Sequence, residues 1–214
     1  TTGKKFNHFP NIRLVSQANS QKIQEQNAIA LADGSLEDVE CQDAWMSLEF
    51  EYSTIFHTHG LYSQRDKTIY LIPENIYPSK NSVVHDIRHR RAYLKNIIVH
   101  ELVHALQDQE LDSSKIYKQL KNYEELEALQ AAKEGHATFV EGLVAEKLGW
   151  QAQSAFWTFL NPRLHLAARD PVIEIMARNY SSRWRFNYVS GRDFIKYPYD
   201  MEGNSNVSDT RTKP

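Results

Sequence analysis

His100-Glu101-Leu102-Val103-His104 is the stretch from which the rest of the fold can be worked out. In an α-helix, residues four positions apart lie one turn above each other on the same face. The imidazoles of His100 and His104 can therefore point at one metal ion, and Glu101 lies beside them, within reach of a water molecule on that ion. Zinc is the usual occupant of this H-E-x-x-H arrangement, so the sequence predicts one bound Zn²⁺ ion.

The residues around this motif favour a buried helix. Residues 93–110 contain neither Gly nor Pro, and Val99 and Val103 add an apolar surface on a second face. The main apolar face repeats at helical spacing through Leu94, Ile97, Ile98, Leu102, Ala105 and Leu106. An alternative is a core helix whose two histidines bond to backbone or carboxylate groups. Because a buried His-His-Glu group needs partners for all its polar atoms, we favour the metal-binding interpretation.

A second long helix is predicted over residues 121–148. Three glutamates recur every seven residues and so share one side of it: Glu127, Glu134 and Glu141. Gly135 stands in mid-helix, where Gly costs about 1 kcal/mol relative to Ala, so it indicates a close backbone approach. Other small residues are nearby: Ala131, Ala132 and Ala137. They predict that this helix presses against the H-E-x-x-H helix, with Glu134 facing the metal.

The third ligand has to come from outside the motif. Catalytic zinc usually has three protein ligands and one open position, and residues 107–111 contain no histidine to follow His104. A carboxylate from the second helix is the remaining common solution. Glu134 is our first choice and Glu141 the second, with Glu127 and His136 left open.

The motif and this helix together resemble a known family. Residues 100–109 (HELVHALQDQ) and 134–138 (EGHAT) are similar to the gluzincin branch of the zincin metallopeptidases. More narrowly, they resemble bacterial zincin-like proteins in which H-E-x-x-H-A-L-Q-D-Q precedes E-G-D-A-T. The similarity covers residues 60–145. His136 stands where that pattern has Asp. If that Asp orients a ligand, then His136 does so in a different way or Asp108 takes its place. The alternative is that His136 binds the transition state or joins the metal shell.

The resemblance implies an activity as well as a fold. It implies that zinc is held by His100, His104 and Glu134, and that Glu101 is the general base for the zinc-activated water that hydrolyses a peptide bond. The substrate would be a peptide or a protein. An oxyanion donor is also needed. The candidates for it are His136, His165, Tyr180, Arg183, Arg185, Tyr188 and Arg192.

The predicted fold class is α+β, mainly helical and zincin-like. A hairpin is predicted over residues 61–72, with a turn at 64–67 and the second strand at 68–72. We expect one catalytic domain over residues 1–202 and a disordered tail over 203–214. Residues 1–19 form a loosely packed arm in this interpretation, with a short strand at 12–15. Further helices are predicted at 20–32, 35–52 and 170–180, and residues 78–91 as a polar connector.

Composition limits the other possibilities. The chain has 214 residues and a formal net charge of -2, so nothing in it favours nucleic acid as a partner. Its single cysteine, Cys41, excludes an internal disulfide framework and a multi-cysteine zinc site. No apolar run predicts a membrane span. The sequence begins at Thr1 without Met, which predicts a processed or trimmed product and removes the best evidence on location. An extracytoplasmic or secreted location is the one we favour.

Three other interpretations follow from the same residues. A dinuclear carboxylate bundle also uses E-x-x-H, but it needs a second copy of that motif, and the sequence has only Glu101 to His104. A zincin-like protein without turnover, acting as a metal-binding sensor or interaction module, would carry the same ligands. A second metal site at His85 and His89 is opposed by the neighbouring arginines.

Overall fold

Helices and one three-stranded sheet form the regular structure of the computed structural model. It describes residues 5–32, 58–76, 87–111, 113–150 and 182–209. In chain order the elements are β1 (Asn11–Leu14), α1 (Gln17–Ala32), β2 (Gly60–Ser63), β3 (Thr68–Leu71), α2 (Pro73–Ile76), α3 (Ile87–Glu110), α4 (Ser113–Tyr117), α5 (Tyr123–Leu148), a π-helix (Arg185–Ser190) and α6 (Gly191–Asp209). The described chain is therefore α+β and mainly helical, as predicted.

The sheet confirms the predicted hairpin and short first strand. Its order is β1-β3-β2, with β1 parallel and β2 antiparallel to β3. Ile69 in β3 is paired with Ile12 on one side and with Tyr62 on the other. All four residues of β3 are buried, which explains why this apolar run (Thr68–Leu71) was the clearest strand in the sequence. All four residues of β1 are exposed, so backbone pairing rather than burial holds that strand.

The motif helix α3 is longer than the sequence predicts. It begins at Ile87, so residues 87–91 of the predicted polar connector are the start of this helix and not a solvated loop, the two forms that their polar sequence allows. These residues contain no Gly or Pro, and extending a formed helix costs far less than starting one. Ile97 joins a core cluster with Ile69, Leu71 and Ile76. This cluster fixes the first half of α3 against the sheet.

Helix α5 has clear signals at both ends. The Asn122 side chain accepts a hydrogen bond from the Glu125 backbone N–H at 2.9 Å, which caps the first turn. At the other end Gly149 adopts a left-handed conformation with φ of 72°, and its N–H bonds back to the carbonyl groups of Ala145 and Glu146. The predicted helix is thus confirmed, with its first residue at Tyr123.

Gly135 has a different neighbour from the predicted one. Ala137 does pack toward α3, in a buried cluster with Val103 and Val140. Gly135, however, lies against the backbone of Gly191 at the start of α6. The prediction that Gly135 allows the approach of α3 was therefore wrong. Adjacent positions on a helix point about 100° apart, so small residues so close in sequence can serve two different neighbours.

The C-terminal part of the described chain is helical. The π-helix runs directly into α6, which continues to Asp209. Residues 203–209 belong to the predicted disordered tail, yet their backbone extends this helix. Among the described helices, none is long and apolar enough to cross a membrane. The helices predicted at 35–52 and 170–180 lie outside the described residues.

Candidate metal centre

Three side chains from two helices converge on one point. His100 and His104 project from α3 one turn apart, and Glu134 reaches them from α5. Glu134 Oε2 lies 3.0 Å from His100 Nε2 and 3.4 Å from His104 Nε2, and the two Nε2 atoms are 3.1 Å apart. This group can hold a metal ion, because each residue offers one ligand atom to the same small space.

The spacing fits a tetrahedral ion. Ligand atoms about 2.0–2.1 Å from zinc at tetrahedral angles lie roughly 3.3 Å from one another. The three separations here, 3.0, 3.1 and 3.4 Å, bracket that value. Two imidazole nitrogens lying so close together also need something between them, either a shared proton or a cation. The predicted first choice for the third ligand, Glu134, thus lies where a ligand is required.

Glu141 lies on the far side of His100. Its Oε2 is 3.5 Å from His100 Nδ1, the nitrogen that faces away from the cluster. Glu141 is 2% exposed, so this carboxylate approaches the ring inside the protein. A carboxylate in this position orients a metal-binding histidine by accepting its other N–H. The second choice for the third ligand therefore sits behind His100 and outside the three-residue cluster.

The neighbouring charges shift the pKa values of His100 and Glu134 in opposite directions. Burial lowers the pKa of His100, but contacts with Glu134 and Glu141 outweigh it, so this pKa lies well above its usual value. Burial raises the pKa of Glu134, but the neighbouring His104 and His100 outweigh it, so the carboxyl's pKa lies well below normal. A cation at this site would have to displace the proton that His100 holds.

Glu101 is buried next to the cluster but outside it. It is 7% exposed, and burial raises the pKa of its carboxyl, while the charges of His104 and His100 lower it. The Tyr62 backbone hydrogen-bonds this carboxylate, which places it against strand β2. Gly60 is part of the same contact, because a Cβ there would lie 2.5 Å from Ile97 Cγ2 and 3.4 Å from Glu101 Oε1. Only a glycine lets β2 come this close to Glu101.

Gln107 connects His104 to His136. Its Oε1 lies 2.9 Å from His104 Nδ1, and its Nε2 lies 3.0 Å from both the Lys133 carbonyl oxygen and His136 Nδ1. His136 therefore contacts the cluster through Gln107 and is not one of its three ligands. Burial, followed by the nearby His104, lowers the pKa of His136. Gln107 was missed in the sequence, although its position three residues after His104 places it on the same helix face.

Asp108 bonds to the β2–β3 hairpin and not to the histidine cluster. Its place one turn beyond His104 in the sequence allows two predictions, a carboxylate that fixes the tautomer of that histidine or an exposed residue at the end of the helix. In the structure it accepts hydrogen bonds from Tyr62 Oη at 2.8 Å and Lys67 Nζ at 2.6 Å. Both donors belong to the β2–β3 hairpin. Asp108 therefore ties the end of α3 to the hairpin, and Gln107 makes the contact with His104 that was expected of Asp108.

The remaining candidates for the oxyanion donor have different surroundings in the structure. Arg183 forms an ion pair with Glu127, and Arg192 with Asp193. Tyr188 lies in the π-helix with its ring stacked on His100, the ring centroids 5.8 Å apart. π-Helical turns often occur at functional sites, which makes Tyr188 the aromatic neighbour of interest. Arg185 is exposed, and His165 and Tyr180 lie outside the described residues.

The suggested second metal site falls partly outside the described chain. Residue 85 is not described, and only the backbone of His89 is.

Comparison with protein-family profiles, curated proteins and solved structures gave no significant match to this chain. The resemblance to zincins accordingly rests on the motif residues themselves.

Proposed function

We propose that this protein is a zinc-dependent metallopeptidase of the zincin type. Zinc would be held by His100, His104 and Glu134, with Glu101 as the general base. The observation that carries the proposal is the combination of two features. One is a three-donor cluster at metal-ligand spacing, and the other is a buried carboxylate beside it that is not one of the donors.

The donor set favours zinc over other common ions. Two imidazoles and one carboxylate with an open fourth position form the usual ligand set of catalytic zinc. Calcium and magnesium prefer sites built from oxygen atoms. Iron(II) also accepts two histidines and a carboxylate. Glu101 supports hydrolysis, because a peptidase needs a base next to its ligands.

The protein's own groups supply the proton transfers. When bound, a zinc ion polarises a carbonyl group and favours the ionisation of water. Glu101 accepts a proton from the attacking water at its carboxylate and donates it to the amine that leaves. The Tyr62 backbone orients that carboxylate, and burial makes Glu101 more basic than a solvated glutamate. Glu141 and Gln107 hold the two histidine rings from behind.

The position of β2 supports a polypeptide as substrate. Within the described chain, β2 pairs with β3 along one edge, and no strand pairs with its other edge. The strand runs beside the candidate base, because a Cβ on Gly60 would lie 3.4 Å from Glu101 Oε1. An extended peptide can bind such an edge through main-chain hydrogen bonds, which would bring its carbonyl groups close to the cluster. A substrate without a peptide backbone would not use this edge.

Metal analysis and hydrolysis assays test the proposal together. The purified protein should contain about one zinc ion per chain and hydrolyse casein or a mixed peptide library. Glu101→Gln should retain the zinc but lose hydrolysis by a factor of about 100 or more, since a general base contributes about 10²–10⁴-fold. Glu146→Gln is the matched control, because Glu146 is exposed at the end of α5.

Three results would each overturn a part of the proposal. A protein that holds zinc but cleaves neither casein nor any peptide of the library would be the non-catalytic metal-binding protein, our second candidate. A Glu101→Gln variant with undiminished hydrolysis would show that another group is the base. Bound iron in place of zinc would point to a different chemistry at the same ligands.

A further inference from the structure

We propose that Gln107 is a positioning residue that sets the tautomers of both His104 and His136 from one carboxamide. The inference rests on the proposed zinc site for its consequence at His104. Its consequence at His136 does not depend on a metal. Gln107 is 6% exposed, and its two polar atoms make three contacts, so it is held inside the protein at both ends.

A backbone carbonyl fixes the orientation of this carboxamide. Gln107 Nε2 lies 3.0 Å from the Lys133 carbonyl oxygen. A carbonyl can only accept, so the group facing it has to be the NH₂ of the amide. The reverse orientation would place two acceptors against each other in a buried site, which is costly. The Gln107 oxygen must therefore face the other way, toward His104.

The tautomer of His104 follows from that orientation. Gln107 Oε1 lies 2.9 Å from His104 Nδ1 and can only accept a hydrogen bond there. His104 must then carry a proton on Nδ1, which leaves the lone pair of Nε2 directed at His100 and Glu134. A metal-binding histidine requires this state, because its ligating nitrogen has to be unprotonated.

The opposite tautomer follows for His136. The second hydrogen of Gln107 Nε2 points at His136 Nδ1, 3.0 Å away. This nitrogen must accept, so His136 carries its proton on Nε2. A second proton on Nδ1 would point at the N–H group of Gln107, which is also a donor. His136 is thereby kept as a neutral ring with an N–H group at its far nitrogen. That is the form in which it can donate a hydrogen bond to a ligand.

The same bond joins the two helices that supply the ligands. Gln107 belongs to α3, like His100 and His104, whereas Lys133 directly precedes Glu134 in α5. The Gln107–Lys133 hydrogen bond therefore holds the backbone next to the third ligand against the helix of the first two. Gln107 thus sets the tautomer of one proposed ligand and ties together the two helices that supply all three.

Gln109 provides a matched control. It lies two residues further along α3, and both atoms of its carboxamide are also hydrogen-bonded. Its Oε1 accepts from the Asn7 backbone N–H at 2.9 Å, and its Nε2 donates to the His8 carbonyl oxygen at 2.8 Å. Its partners belong to the N-terminal arm and not to the cluster. Gln107→Met and Gln109→Met thus remove the same group from the same helix, and only the first removes it from the histidines.

Nitrogen NMR of histidine-labelled full-length protein gives the first readout. We expect His104 protonated at Nδ1 and His136 protonated at Nε2, in zinc-free and zinc-loaded protein alike. Gln107→Glu keeps an oxygen toward His104 but replaces the donor at His136 with an acceptor. The proton of His136 should then move to Nδ1. Wild-type protein with His136 protonated at Nδ1, or no change in the variant, would overturn the inference.

Zinc affinity, measured by competition with a chelator, gives the second readout. Gln107→Met should weaken zinc binding by about 10- to 100-fold, the usual effect of removing a group behind a metal ligand. Gln109→Met should bind zinc like the wild type. Equal affinities of the two variants would refute the role of Gln107. If wild-type protein binds no zinc, the proposed function fails by itself, and the His136 tautomer still decides the inference about Gln107.

Discussion

Gly135 and Gly191 meet backbone to backbone where α5 crosses the start of α6. A Cβ on Gly135 would lie 2.1 Å from the Gly191 carbonyl carbon, and a Cβ on Gly191 would lie 2.1 Å from the Ala131 carbonyl oxygen. No side chain fits between the two helices at this crossing point. The contact lies beside Glu134, and it places the π-helix, with Tyr188, over the same end of the cluster. The helix crossing therefore supports the candidate site.

Gly135→Ala should destabilise the protein by about 3 kcal/mol, near the top of the range for overpacking, because the obstacle is backbone and cannot rotate away. Gly142→Ala in the same helix is the control. No described atom lies within 4 Å of a Cβ at that position, so it should stabilise the helix by about 0.5–1 kcal/mol. Urea denaturation of both variants measures the difference. Equal stabilities would show that α5 and α6 do not pack in this way.

This pair also shows how far the sequence alone can go. The cost of a glycine inside a helix indicated a close approach correctly at Gly135, but Gly142 in the same helix has no described atom within 4 Å of an added Cβ, so the pattern alone does not prove one. The sequence around Gly135 contains no information about which element approaches this glycine. The hairpin and the two ligand helices could be predicted because their apolar patterns and turn residues are local. The partner of Gly135 depends on residues more than fifty positions away, so only the folded chain identifies it.

Glu134→Gln and Glu141→Gln should differ in their effects on zinc. Glu134 contributes an oxygen to the three-donor cluster, so its loss should reduce zinc content to near zero after dialysis. Glu141 only approaches His100 Nδ1, and its loss should weaken zinc affinity by about 10- to 100-fold while leaving the ion bound at micromolar concentration. Metal content and chelator competition measure both. Equal loss from the two variants would refute the assignment of Glu134.

The sequence could rank these two glutamates but not assign them. Residues seven apart lie on the same helix face, so Glu127, Glu134 and Glu141 are equivalent in pattern. The axial position of α5 against α3 decides among them. It brings Glu134 level with both histidines, leaves Glu141 behind His100, and pairs Glu127 with Arg183. The position of α5 along its axis relative to α3 is set by the packing of the two helices, so the spacing of the glutamates in the sequence does not reveal it.

Asp108→Ala should weaken the joint between α3 and the hairpin. The carboxylate accepts from Tyr62 Oη and Lys67 Nζ, and its side chain is only 8% exposed. Removing it leaves the half-buried Tyr62 hydroxyl without this partner, a loss of about 1–3 kcal/mol. Asp193→Ala is the control, because that side chain is 59% exposed and should change stability by less than about 0.5 kcal/mol. Thermal or urea unfolding distinguishes the two.

Tyr62 should make the protein sensitive to alkali. Burial, the hydrogen bond to Asp108 and the charge of Asp108 raise the pKa of Tyr62 from its ordinary value of 10.0. As pH rises above about 10, Tyr62 loses its proton in the unfolded chain but keeps it in the folded one. The folded state then binds more protons, so the free energy of unfolding falls as pH increases, by at most about 1.4 kcal/mol per pH unit for this one group. Below about pH 9 the contribution of Tyr62 is fully present.

Urea unfolding of wild type and Tyr62→Phe, at several pH values between about 9 and 11, isolates this contribution from those of the other tyrosines. The variant should be less stable at neutral pH, because it loses the bond to Asp108, yet it should lose stability more slowly as pH rises. Tyr197→Phe, which removes a phenol that is 69% exposed, should follow the wild-type slope. Parallel curves for wild type and Tyr62→Phe would show that the Tyr62 hydroxyl is not held by Asp108. They would also show that the hairpin is joined to α3 without this hydrogen bond.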